Sequence, residues 1–144
     1  MKKLLGIVIL VLLISGNAYA KSVKLNCSFR DAYVVMDNDR TKKLTPDMDL
    51  YQYYSADDVV SFNEDLKIFA GNKADRFDQE IIKLTMYDEI KGPKATIKMK
   101  KIWTVNRVTG VFTKEIYSKL IGRDTSWGSA DTIRYDCRKA KKKF

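Results

Sequence analysis

The chain has no histidine and only two cysteines among its 144 residues. The first absence removes every mechanism built on an imidazole: the Ser-His-Asp triad, Cys-His nucleophiles, histidine-ligated metals and the side chain that switches charge near neutral pH. Two thiols alone do not complete a tetrahedral zinc site, and no Cys-x-x-Cys pair is present for redox exchange. The seven glycines are scattered singly, so there is no glycine-rich phosphate loop. No metal and no cofactor is expected from such a set.

What the chain has in excess is positive charge, 27 Lys and Arg against 18 Asp and Glu, a formal +9. Its distribution matters more than its sum. Met1, Lys2 and Lys3 precede an apolar run over residues 4–14, followed by Ser15-Gly16-Asn17-Ala18-Tyr19-Ala20. A charged start, a short apolar stretch and small residues at 18 and 20 predict a signal peptide over residues 1–20, cleaved after Ala20, whereas a spanning helix needs about 20 apolar residues. An uncleaved anchor is the alternative, and the shortness of the run and the Ala-x-Ala ending argue against it. Lipid attachment at Cys27 fits less well still, because polar Lys24 and Asn26 separate it from the apolar run.

Beyond Ala20, 25 basic residues stand against 18 acidic ones, a charge of +7, and five of the basic ones fall in residues 138–144. The body, residues 21–137, carries 20 against 18, or +2. A balanced body with a basic tail is unlike a nucleic-acid-binding face, which gathers Lys and Arg on a folded surface, and no specific nucleic-acid partner is expected. The sequence predicts a periplasmic or secreted protein. In that oxidising compartment Cys27 and Cys137 are expected to pair. The bridge closes a loop of about 110 residues, worth on the order of 4 to 5 kcal/mol in the chain-entropy account.

Val23, Leu25, Cys27 and Phe29 alternate with Lys24, Asn26 and Ser28, and Ile133, Tyr135 and Cys137 alternate with Thr132, Arg134 and Asp136. This is the period of a strand with one buried face, so both cysteines point inward from the first and last strands. Between them, Asp-, Asn-, Ser- and Gly-rich turns separate β-rich runs at residues 33–36, 49–54, 59–62, 66–70, 81–87, 95–105 and 111–120. Residues 74–80 are the best helical stretch, with room for one or two turns. A bulge near Lys100-Lys101 would keep both lysines wet in the longest run. The expectation is an all-β, antiparallel meander of about eight or nine strands, one small disulfide-stapled domain, barrel-like or sandwich.

Trp103-Thr104-Val105-Asn106-Arg107-Val108-Thr109-Gly110 reads as a hairpin: a β-rich run, an Asn that bonds its own backbone, and a Gly placed for a left-handed exit. With the final Cys137, it resembles small, mostly uncharacterised exported β proteins of Gram-negative bacteria, which carry an Asn/Asp-Arg-x-Thr-Gly hairpin and a C-terminal Cys. The resemblance spans about the last forty residues and departs from the pattern at Tyr135-Asp136-Cys137. It implies the architecture and no activity.

Candidate chemistry is sparse. Asp57-Asp58 and Glu64-Asp65 are the adjacent carboxylates a hydrolase would need, but both pairs fall in predicted turns, where acids are common. Asp37-Asn38-Asp39-Arg40-Thr41 imitates the start of a calcium loop, which then fails at Lys42 and Met48. Tyr51, Tyr53 and Trp103 are candidates to line a barrel mouth holding a small apolar or sugar-like ligand, alongside their ordinary role as core. Trp127 lies in a polar loop, an anchor for a partner or a lid folded back. Lys139, Lys141, Lys142 and Lys143 suit an anionic membrane surface, or simply a solvated end. The leading expectation is a non-enzymatic exported binding protein for a small apolar ligand, an envelope lipid or a protein. An inhibitor of an exported enzyme presenting the loop at residues 122–130, or a carboxylate-dependent hydrolase, is the alternative. Mass spectrometry of the exported protein is expected to show a chain starting at Lys21 with no titratable thiol; a retained leader or two free thiols would overturn the reading.

Overall fold

The computed structural model of the chain describes residues 22–36, 40–124 and 126–139, so the predicted leader and residues 140–144 of the tail lie outside the described residues. The alternation that starts at Val23 runs on through a single long strand, β1 (Ser22–Met36), in place of two shorter ones. It is followed by β2 (Arg40–Lys43), a one-turn helix (Tyr51–Tyr54) and β3 (Asp58–Asn63). Then come β4 (Ile68–Phe69), β5 (Asn72–Lys73), β6 (Arg76–Phe77) and β7 (Ile81–Lys91). The last described strands are β8 (Thr96–Asn106), β9 (Val111–Leu120) and β10 (Ala130–Lys139).

All ten strands join one antiparallel sheet in the order β5-β4-β3-β1-β10-β9-β8-β7-β6, with β2 paired to the far half of β1. The first and last long strands are neighbours at its centre, and Cys27 faces Cys137 in register, bridged at a Cα separation of 4.0 Å. The expected disulfide is therefore present. The two sheet edges, β5 and β6, are consecutive in the chain. The residues between them tie the edges together: Ala74 N–H donates to Lys67 O and Asp75 N–H to Lys83 O. The sheet is thus curled into a half-barrel, the barrel-like form of the expected architecture rather than the sandwich.

Period two places Cys27, Val60, Phe62, Leu84, Trp103, Val105, Phe112, Ile133 and Tyr135 on one face, and the core fills the concave side. Its middle is aromatic. Phe69, fully buried, meets Trp103 and Phe112 edge-on, and Phe112 stacks on Tyr135 with centroids 5.5 Å apart. Such pairs add roughly 0.5–1.5 kcal/mol each beyond their burial. Phe69 reaches the centre because left-handed backbone at Lys67 (φ 55°) and Ala70 (φ 47°) folds the short β4 over the core.

Several local expectations give way to tertiary structure. Residues 49–54 are not a strand: a helical turn puts Tyr51 and Tyr54 on one side, where both pack on the core, whereas a strand would point them to opposite faces. Residues 74–80 form no helix, because their backbone groups are committed to bonds with Lys67, Lys83 and Ile81. Of residues 66–70 only Ile68 and Phe69 are strand. The bulge lies in β1, between Phe29 and Asp31, and β8 stays in register throughout. Lys101 does face inward, but beyond the packed core, where it pairs with Asp88 at 2.5 Å.

The turn after β8 confirms the expected hairpin. Gly110 has φ +73°, donates its N–H to Asn106 O and accepts from Cys137 N–H; a Cβ there would lie 3.1 Å from Cys137 O. Gly110→Ala combines a disfavoured φ with a backbone contact, and urea unfolding is expected to show a loss of about 1–3 kcal/mol. An unchanged midpoint would contradict this account of the hairpin.

Candidate functional site

The hairpin that closes β8 against β9 also shapes the open end of the half-barrel. Asn106 Oδ1 accepts from the N–H groups of Val108 and Thr109, fixing the turn. Arg107 is held just beyond it. Its N–H donates to Glu80 O, Nη1 to Asp78 O and Nη2 to Glu64 Oε1 at 2.7 Å, while the guanidinium lies 5.6 Å from the Phe62 ring centre and 5.9 Å from that of Phe77. Asp78 in turn accepts from the N–H groups of Glu80 and Ile81 and from Arg76 Nε. The Ile81 N–H first, then Arg76 and the Glu80 N–H, hold its carboxyl down to about 2.

Beside Arg107 lies a cavity of about 340 Å³. Its walls are the core side chains Leu25, Phe62 and Val105 with Val23 packed against them, and its mouth carries Glu64, Gln79, Arg107 and Lys139. The volume is at the small end of the roughly 300–1,000 Å³ usual for small-molecule sites, with the expected mixture of apolar wall and a few polar groups. Two cations and one carboxylate at the mouth, with the carboxylate bonded to Arg107, leave it with net positive character.

A second polar group sits deeper. Lys114 on β9 reaches Asp58 on β3, with Nζ 5.0, 5.5 and 5.4 Å from the ring centres of Trp103, Phe112 and Tyr135. Burial first, then Asp58 and Asp57, push the Tyr135 hydroxyl up to about 12. At the other end of the core, Asp131 accepts from Val35 N–H and from the Tyr54 hydroxyl. Tyr54 is likewise pushed up to about 12, by burial and then by that carboxylate.

The aromatic residues expected to line one mouth are not brought together. Tyr51 packs edge-on against Phe29, Tyr53 is 71% exposed, and Trp103 belongs to the aromatic centre. Trp127 folds back onto the outer face against Tyr87. Of the expected cationic group, Lys139 is at the cavity mouth, and Lys141, Lys142 and Lys143 lie outside the described residues.

The adjacent carboxylates do not converge as a hydrolytic pair. Asp57 accepts from Phe29 N–H while Asp58 engages Lys114, and Glu64 is bound to Arg107. Residues 37–39 of the calcium-like sequence are outside the described residues, and Arg40–Lys43 continue as strand. Among the described residues no cluster of acidic or sulfur ligands suits a metal, and no helix is long and apolar enough to cross a membrane. Sequence reasoning identified the Asn106-Arg107 turn without seeing that Arg107 lines a cavity. The only local signal was a long cation at a hairpin tip. No protein-family model, curated protein or solved structure matches the chain.

The two tyrosines set an alkaline limit. Their folded-state values, about 12, lie above the ordinary value near 10, so their contribution is complete below pH 10 and is lost as pH rises through 12. Asp78 works in the opposite sense: its contribution is present above about pH 4 and is lost as pH falls towards 2. Urea midpoints measured against pH are expected to fall on both sides. Tyr54→Phe should flatten the alkaline limb; an unchanged alkaline slope would refute the assignment.

Proposed function

We propose that the protein is an exported, non-enzymatic binding protein whose cavity beside Arg107 takes a small amphiphile with an apolar body and an anionic head. One observation carries this reading: the same cavity is lined by the core side chains Leu25, Phe62 and Val105 and by the cations Arg107 and Lys139. An apolar body gains about 25 cal/mol per Å² of surface removed from water, and the two cations favour a carboxylate or phosphate head. The Glu64 bond to Arg107 leaves Lys139, exposed and on the last described strand, as the second cation for that head. The predicted leader and the disulfide support a setting outside the cytoplasm, where free amphiphiles and envelope lipids are the available ligands.

A binding role also suits how the acids are used. Asp57, Asp58, Glu64, Asp78 and Asp131 each hold a strand, a turn or a cation in place, and a site of this composition binds by shape and charge.

Titration calorimetry with decanoate and decanol tests the reading. Decanoate is expected to bind at one site with a dissociation constant on the order of micromolar, and decanol about tenfold more weakly. Val23→Trp, which fills the cavity, should abolish binding while the melting transition stays cooperative, and Lys139→Gln should weaken decanoate and leave decanol unchanged. Equal binding of the two ligands, or full binding by Val23→Trp, would overturn the proposal.

A further inference from the structure

The connection between β9 and β10, residues 121–129, does not stand away from the sheet. Gly122 (φ +86°) and bonds between Leu120 and Asp124 turn it back. Trp127 is thereby laid on the outer face of β7, β8 and β9, opposite the core. The registers Tyr87↔Lys100 and Lys100↔Tyr117 make one row across the three strands, and Glu89↔Lys98 and Lys98↔Lys119 make the next. Adjacent rows are about 7 Å apart along the strands, and Tyr87 and Tyr117 are about 10 Å apart across them.

Trp127 lies over this lattice. Its ring centre is 6.5 Å from that of Tyr87, and Lys100 Nζ and Lys119 Nζ approach the indole at 5.1 and 5.0 Å. Lys100 is also 4.3 Å from the Tyr117 ring. Neither lysine is paired with a carboxylate among the described residues, whereas Lys98 has Glu89 and Lys101 has Asp88. A cleft of about 370 Å³ opens here, lined by Tyr87, Asp88, Glu89, Lys98, Met99 and Trp127, with Tyr87 69% exposed and the Asp88 carboxylate turned to Lys101.

We infer that this outer face is a second binding site, independent of the cavity beside Arg107, and that its ligand is an acidic polysaccharide segment. The chemistry of the rows selects that class. The C–H face of a sugar ring is apolar and lies flat on an aromatic ring, whose π face is electron-rich. Tyr87 and Trp127 present such rings at the cleft, with Tyr117 beneath Lys100 in the same row. Lys100 and Lys119 are ammonium groups with unfilled capacity for carboxylates, and Glu89 is an acceptor for sugar hydroxyls. A single-stranded nucleic acid also uses aromatic stacking and cations. Here Glu89 is an acceptor that a chain of sugar hydroxyls can use and that a DNA strand, with no hydroxyl along its length, leaves unpaired. In the setting outside the cytoplasm proposed above, which the disulfide supports and on which this choice rests, glycans are more accessible polyanions than nucleic acid.

The test uses the whole exported chain carrying Trp103→Phe, so that Trp127 is its only indole, titrated with oligogalacturonate, malto-oligosaccharide and a single-stranded oligonucleotide. Oligogalacturonate is expected to shift the Trp127 fluorescence saturably, with an affinity that falls as salt rises. Neutral malto-oligosaccharide should bind at least tenfold more weakly. In the chain that retains Trp103, Trp127→Ala should cost about tenfold in calorimetry, and Lys100→Gln with Lys119→Gln about tenfold or more, with melting transitions unchanged in both. Val23→Trp, which closes the cavity, should leave this binding intact. The inference is overturned if no saturable shift occurs, if the neutral and acidic sugars bind equally, if the double lysine variant binds as wild type, or if the oligonucleotide binds more tightly than oligogalacturonate.

Discussion

The pairing of β1 with β10 is the constraint on which the rest of the molecule depends. It joins residues 110 positions apart and puts them at the centre of the sheet, with the Cys27–Cys137 bridge locking the register. Closing so long a loop in the unfolded chain is worth about 4.7 kcal/mol in the chain-entropy account, comparable to the net stability of a small domain. The same pairing carries the bidentate Arg134–Asp31 contact, and Asp131 reaches across from β10 to Val35 N–H on β1. Shifting β10 by one residue would turn Tyr135 and Ile133 outward and undo all of these at once.

From that centre the sheet grows two flanks, β3 to β5 on one side and β9 to β6 on the other, which curl towards each other. Two ion pairs brace them across the concave side. Lys114 on β9 reaches Asp58 on β3, and Arg107 in the β8–β9 hairpin reaches Glu64 in the turn after β3. Each cation also lies over aromatic rings, so its charge meets both a carboxylate and π faces in a partly dry setting. A charge placed so costs desolvation, and removal of one partner leaves the other stranded, so such pairs specify one arrangement of the flanks more than they stabilise it. The cavity beside Arg107 is the space left where this bracing stops short of full closure.

Much of the architecture was legible in the sequence. Strict alternation around Cys27 and Cys137 placed both thiols on the inward face, and the Asn106 to Gly110 run announced its turn through an Asn that bonds its own backbone and a Gly with positive φ. Where the reading failed, a distant contact had outweighed local propensity. Tyr51 to Tyr54 are good strand residues that coil because one helical turn lets Tyr51 reach Phe29 and Tyr54 reach Asp131. Phe77 in residues 74–80 goes to Phe62 and Arg107, and the surrounding backbone follows it. Lys101 needed no bulge because the sheet outruns its own core at that point.

The candidate sites belong to a different level. Residue type and period two along the chain determined, by themselves, the β class, the turn chemistry and the inward direction of the alternate residues around Cys27 and Cys137, because these depend on neighbours a few positions away. Which residues become neighbours across strands was decided only by register and curvature. Tyr87, Lys100, Tyr117 and Trp127 are spread over forty positions of sequence, and Val23, Phe62, Val105 and Arg107 over more than eighty. Each set is assembled by long-range pairing that no single segment encodes, since a strand alternates in the same way whichever partner it meets.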